Sequence, residues 1–260
     1  MVLMGYIDDA TGNVFGRFYD YEGTVPSMDS FKRYARQYGL PQSVYLDKHA
    51  TYKSTSPAKE EELEDKPMSQ FERALTELGV TVIHANSPQA KGRVERLFGT
   101  LQDRLVKEMR LRGITDKDGA NAFLKSFLPT FNRKFRVAAA SSADMHTPLP
   151  KGLDLNDFLC IKTNRVAKND NVVSLNGRLF QIEEPVETTH VEMQERLNGS
   201  LLIKAAGKSL KYTEIAPTPK PVRRQTSSRA RRPVTVQKTT HPWKRWQTPR
   251  PKDNRWTYAY

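Results

Sequence analysis

Four carboxylates stand where short apolar segments end: Asp8 and Asp9 after VLMGYI, Asp47 after SVYL, and Glu95 in a segment opened by NSPQAKG. Carboxylates brought to one point from a strand end and a helix make a natural site for a hard cation. Mg²⁺ takes oxygen ligands, often one or two carboxylates completed by water and substrate phosphate. Two such ions about 3.5–4 Å apart activate a nucleophile and stabilise a leaving oxygen in phosphodiester chemistry. On a helix, Glu95 has Lys91, Gly92, Phe98, Gly99 and Gln102 as neighbours, a face with small residues where a ligand or backbone can approach. Lys91, one turn earlier, could meet a phosphate on that side. The plain alternative stays open on pattern alone: Asp47 caps a turn and Glu95 is a solvated helical residue.

The elements that would position these groups follow from periodicity. Val2–Asp8 and Val14–Tyr21, joined across Thr11-Gly12-Asn13, read as a β-hairpin. Pro26-Ser27 opens a helix to Tyr38 with Phe31, Tyr34, Ala35 and Tyr38 on one face and Gly39 as its stop. Ser43–Asp47 is a short strand. Residues 54–67 (STSPAKEEELEDKP) form an acidic, proline-flanked insertion. A helix over Ser69–Leu78, a strand over Val80–His84 and a long helix from Asn86-Ser87-Pro88 to about Arg112 come next. Val94, Leu97, Phe98, Leu101, Leu105 and Met109 give the long helix an apolar stripe. A further helix covers Gly119–Phe135. The alternation of strands and helices predicts a mixed α/β layer architecture.

After about Pro150 the pattern becomes β throughout. Asn176-Gly177 is a strong hairpin signal, and turns at Asn198-Gly199 and Ala206-Gly207 separate further short strands up to Ile215, which predicts a small barrel. The chain carries a net charge of +13, and twelve of its 42 Lys/Arg but one of its 29 Asp/Glu lie in residues 217–260. That segment therefore holds +11. A proline-, serine- and arginine-rich composition cannot bury enough apolar surface to offset chain entropy, so a disordered basic arm for a polyanion is expected, with nucleic acid ahead of an anionic membrane surface. Arg223, Arg224, Arg231, Arg232, Lys244 and Arg245 are its candidate phosphate contacts, and Trp243, Trp246 and Trp256 could stack on bases or on a protein partner.

Other classes are disfavoured. The single cysteine, Cys160, can form no intrachain disulfide and reads as a buried apolar residue. His49, His84, His146, His190 and His241 show no metal-ligand spacing, which argues against zinc. No apolar run is long enough to span a bilayer, and Met1-Val2-Leu3-Met4 is no signal peptide. A cytoplasmic, nucleoid-associated protein is the expectation.

Asp47 in VYLDKHATY and Glu95 in NSPQAKGRVERLFGTLQDRL resemble the second and third acids of the DDE transposase and retroviral-integrase superfamily. The N-x-P-Q-x-x-G-x-x-E-like run from Asn86 to Glu95 is the most specific part of that resemblance. IDDATG, the 48-position gap between the two acids, the β-rich module and the basic tail resemble bacterial insertion-sequence transposases in particular. The resemblance implies a ribonuclease H-like core, two Mg²⁺ (or Mn²⁺) ions held by Asp47 and Glu95, and DNA contacts from Lys91 and Arg93. It implies DNA partners at mobile-element ends and target, assembly as a homo-oligomer or with a full-length transposase, and no membrane. The expected organisation is a catalytic core over 1–135, a linker over 136–160, a small β-barrel module over 161–216 and the tail over 217–260.

In that superfamily the first acid lies on a first strand, and IDDATG matches the end of the second strand. The first acid is then expected some fifteen to twenty residues before Asp8, outside this sequence. Asp8 and Asp9 become turn residues, with Asp8 a substitute ligand at most. The expectation is an N-terminally truncated core that lacks its central strand and is impaired in cleavage and strand transfer. A noncatalytic DNA-binding or transposase-inhibiting protein, and a nuclease of the ribonuclease H type, are the rival readings.

Overall fold

The computed structural model describes residues 1–46, 68–84, 88–168, 170–185 and 188–215, with the side chains of 88–91 and 93 excepted. Within these residues the fold is mixed α/β, and residues 1–217 form one compact unit.

Strands β1 (Val2–Ile7) and β2 (Val14–Tyr19) form the antiparallel hairpin, in register from Val2↔Tyr19 to Ile7↔Val14. Helix α1 (Thr24–Tyr38) begins two residues before Pro26, which fits in the first turn because that turn needs no backbone donor. Its Met28, Phe31 and Ala35 are fully buried, whereas Tyr38 remains 41% exposed. Two-residue strands β3 (Leu40–Pro41) and β6 (His146–Thr147) pair antiparallel just past α1. Gly39 makes this possible: its φ is 92°, and a Cβ there would lie 2.7 Å from the Thr147 carbonyl oxygen.

Strand β4 (Ser43–Leu46) pairs in parallel with β5 (Thr81–His84), and helix α2 (Gln70–Glu77) lies between them in sequence. Ser69 caps α2 by accepting the Glu72 amide at 3.1 Å. Phe71, Ala74 and Leu75 of α2 join Met28, Phe31, Leu40 and Leu46 in the first core. Leu155 and Leu159, from the stretch read as a linker, are buried in that same core.

Helices α3 (Pro88–Leu111) and α4 (Lys117–Phe135) cover the hairpin. Leu97, Leu101, Leu105 and Met109 form the buried row of α3 against Val14, Phe18, Leu124 and Phe131. Val94 departs from the expected stripe and is 40% exposed, because the cluster that buries this face begins only at Leu97. On α4, Phe123, Phe127, Phe131 and Phe135 stand one turn apart with successive ring centroids 5.5, 5.7 and 4.6 Å apart.

Two amides of α4 close the outer edge of β2. Asn121 accepts from the Phe18 amide (2.9 Å) and donates to the Phe18 carbonyl (3.0 Å). Asn132 does the same for Val14, at 2.9 Å in each direction. Each side chain occupies the place of a neighbouring strand's backbone, so Val14 and Phe18 of β2 are paired on the edge away from β1.

The β-rich module consists of two antiparallel sheets. One has the order β12 (Lys208–Leu210), β11 (Leu201–Ala205), β10 (His190–Arg196), β7 (Cys160–Val166), and the other β13 (Tyr212–Ile215), β9 (Arg178–Ile182), β8 (Val172–Leu175). Val173, Phe180, Ile182, Val191, Met193 and Ile203 fill one core. The Tyr212 hydroxyl ties the sheets by donating to the Leu201 carbonyl at 2.7 Å. Asn176-Gly177 makes the expected tight hairpin, with φ of 51° and 80°.

Helix α2 grips this module. The Gln70 amide donates to the Lys162 carbonyl (2.9 Å) and accepts from the Lys162 amide (3.0 Å), closing the edge of β7 as the asparagines close β2. Glu77 binds the Lys162 ammonium at 2.7 Å, and Arg73 donates to the carbonyls of Phe158 and Cys160.

Candidate functional site

The parallel pairing of β4 and β5 ends at Leu46↔His84, so both strands finish at the same edge. Asp47 is the residue after Leu46 and lies outside the described residues. Helix α3 starts four residues beyond His84 and carries Glu95 two turns along, about 10 Å from its first residue at 1.5 Å per residue. The Glu95 side chain is exposed. In α/β layers, ligands gather outside the carboxyl ends of strands, and this edge is such a place.

A pair that sequence reasoning missed stands at the same edge. His84 Nε2 lies 2.9 Å from a Glu72 carboxylate oxygen, joining the end of β5 to α2. His84 Nδ1 is buried and has no hydrogen-bond partner among the described residues. Glu72 carries no local signal in the sequence, because it reaches His84 across the layer from another element.

Asp8 is built into the turn after β1. Its carboxylate accepts from the Thr11 amide at 3.0 Å and from the Thr11 hydroxyl, while its own amide donates to the Asn13 carbonyl at 2.8 Å. Its oxygens serve the hairpin. Asp9 beside it is exposed. Lys91 and Arg93 have helical backbone in α3, and their side chains lie outside the described residues, as do Arg223, Arg224, Arg231, Arg232, Lys244 and Arg245. Among the described residues no group of three or more His, Cys, Asp or Glu is placed to hold a metal ion.

Behind the hairpin turn a second polar constellation borders a cavity of about 390 Å³. His146 Nε2 is 2.7 Å from the Tyr34 hydroxyl, and His146 Nδ1 is 2.8 Å from Asp144. The His146 ring thus bridges the Tyr34 hydroxyl and the Asp144 carboxylate. Burial, and then the charge of Asp8, push the Tyr34 phenol up to about 12, so it keeps its proton, and its contact with His146 ties α1 to β6. Cys160 is buried at the start of β7, where burial raises its thiol pKa.

No family model matches the chain. Over 217 residues it is 38% identical to "Putative transposase y4bF" of Sinorhizobium fredii, covering 81% of this chain and 47% of that protein. It is 28% identical over 250 residues to the transposase for insertion sequence IS1202 of Streptococcus pneumoniae, covering 92% of this chain and 53% of that one. Its curated relatives are transposases. The likeness to insertion-sequence transposases thus runs along most of the chain. This chain spans about half the length of these two relatives. Among solved structures, a simian T-cell lymphotropic virus intasome in complex with PP2A regulatory subunit B56 gamma aligns with a TM-score of 0.41 and 16% identity, over 83% of this chain and 73% of that one. No helix among the described residues is long and apolar enough to cross a membrane.

Proposed function

We propose that this chain serves DNA transposition, with Asp47 and Glu95 as the carboxylates of a phosphodiester cleavage and strand-transfer site acting on mobile-element ends. The observation that carries the reading is the parallel register of β4 and β5, which ends Asp47's strand beside the lead into the Glu95 helix, in a chain 38% identical to a transposase-named protein. Carboxylate oxygens suit Mg²⁺ or Mn²⁺, and a pair of such ions would activate the attacking oxygen and stabilise the leaving one. Asp47 and Glu95 hold that charge. Glu72 braces His84 at the end of β5 and so fixes the edge from which α3 departs. Lys91, Arg93 and the basic tail neutralise phosphates of element-end and target DNA, in an assembly of several subunits.

The core is ribonuclease H-like in this reading, and residues 1–260 alone are weak in strand transfer. Among the described residues β1 pairs only with β2 and β4 only with β5, whereas the outer edges of β2 and β7 are closed by Asn121, Asn132 and Gln70. Tyr6 of β1 and Val44 and Leu46 of β4 share one core cluster, and in this reading a further strand of the core belongs beside them. In the resembled superfamily that strand brings the first acid. The +11 tail also favours a second reading, a noncatalytic DNA-binding protein that acts on a complete transposase.

Purified 1–260 incubated with Mg²⁺ and element-end DNA separates these statements. Binding of the DNA without joining is expected. Mg²⁺-dependent end joining overturns the weak-activity statement, and absence of DNA binding overturns the transposition reading itself.

A further inference from the structure

We propose that the groove between α3 and α4 is a DNA-backbone contact, distinct from the basic tail and from the acid-bearing edge; the proposal rests on the transposition reading. The groove encloses about 680 Å³ and is lined by Arg104 and Lys107 of α3, by Arg112 just past its end, and by Lys134 and the phenylalanine row of α4.

The aromatic row holds the cations in place. The Arg112 guanidinium carbon lies 4.7 Å from the Phe123 ring centroid, the Arg104 carbon 5.1 Å from that of Phe135, and Lys134 Nζ 5.8 Å from the same ring. A stacked guanidinium uses its face on the ring and keeps its in-plane N–H groups for other partners. Their planar fork matches a phosphate, and a side chain already fixed by stacking loses little further freedom on binding one.

Charge selects the partner. The two acids of the groove, Asp103 and Glu108, are each taken by a cation one turn away, Lys107 and Arg112. Arg104 and Lys134 have no carboxylate hydrogen-bond partner among the described residues. Phe123 to Phe135 spans about 18 Å of helix, close to five nucleotide steps along a duplex at about 3.4 Å per phosphate of one strand. The two end rings, Phe123 and Phe135, are capped by cations rather than left bare, which fits a polyanion better than an apolar helix.

The test uses the full chain, a short random-sequence DNA duplex and fluorescence anisotropy across a range of salt concentrations. Arg104→Gln with Lys134→Gln should lower the magnitude of the slope of log affinity against log salt by about 1.8, since each phosphate contact contributes about 0.9. Lys125→Gln, on α4 but outside the groove, should leave the slope unchanged. Should the double variant melt at low temperature, acetylation of the wild-type chain decides: DNA should protect Lys134 and leave Lys125 reactive. Wild-type binding with an unchanged slope in a folded double variant, or with Lys134 unprotected, overturns the groove and leaves the transposition reading intact. A wild-type chain that does not bind the duplex overturns both.

Discussion

Leu46 and His84 are the last pair of a parallel ladder, so the two strands that precede the candidate acids of this chain stop side by side. Parallel strands need a crossover, and α2 supplies it. It also supplies Glu72 to His84 at the strand ends and Gln70 to β7 at its other face. One eight-residue helix thus links the candidate site to the β-rich module.

The grip of Gln70 on Lys162 should be measurable as stability. Gln70→Ala removes its two hydrogen bonds to β7, and a third from Arg73, and leaves a backbone donor and acceptor of β7 unpaired, at about 1–3 kcal/mol. Urea unfolding should show the midpoint falling. An unchanged midpoint would mean that water replaces the amide at that edge without loss.

Asn121 is the more deeply placed strand substitute, with 9% of its surface exposed. Asn121→Ala should cost about 1–3 kcal/mol for each Phe18 backbone group left unpaired. Asn121→Asp keeps the acceptor for the Phe18 amide but sets a buried carboxylate oxygen against the Phe18 carbonyl, and should lose at least as much. Ser126→Ala, exposed on the same helix, serves as the control and should be near neutral.

Acid should loosen the joint between α2 and the module. Burial alone would raise the Glu77 carboxyl, but hydrogen bonds from Lys162 and Arg73 outweigh it and hold the group below its usual 4.5. A carboxyl lowered on folding contributes stability that is complete above its unfolded pKa and is lost as pH falls through the folded one. Stability measured downward from pH 6 should therefore drop below about pH 4.5, and Glu77→Gln should flatten part of that drop. A Glu77→Gln variant with the same acid slope as the wild type would assign the slope to other carboxylates.

Much of this architecture was legible in the sequence. The Leu97–Leu101–Leu105–Met109 row, the helix opening at Ser69 and the Asn176-Gly177 turn are local patterns, and each appears within a residue or two of its expected place. The misses are contacts between distant residues. Gln70 reaches Lys162 across 92 positions, Asn121 reaches Phe18 across 103 and Tyr34 reaches His146 across 112. A helical Asn or Gln that replaces a strand neighbour has the same local signature as one in water. Strands β3 and β6, two residues each, are too short for any alternation to show. Leu155 and Leu159 sit in a stretch with turn chemistry on both sides, and only the core reveals that they are buried.

Metal binding tests the central claim most directly, because it asks what Asp47 and Glu95 do without requiring strand transfer. Mn²⁺ titrated into purified 1–260 can be followed by the loss of free-ion paramagnetic resonance signal. The account predicts a bound population that is lost in Asp47→Ala with Glu95→Ala and is unchanged in Asp9→Ala. Equal Mn²⁺ binding by the wild type and the double variant, with both folded, would contradict it.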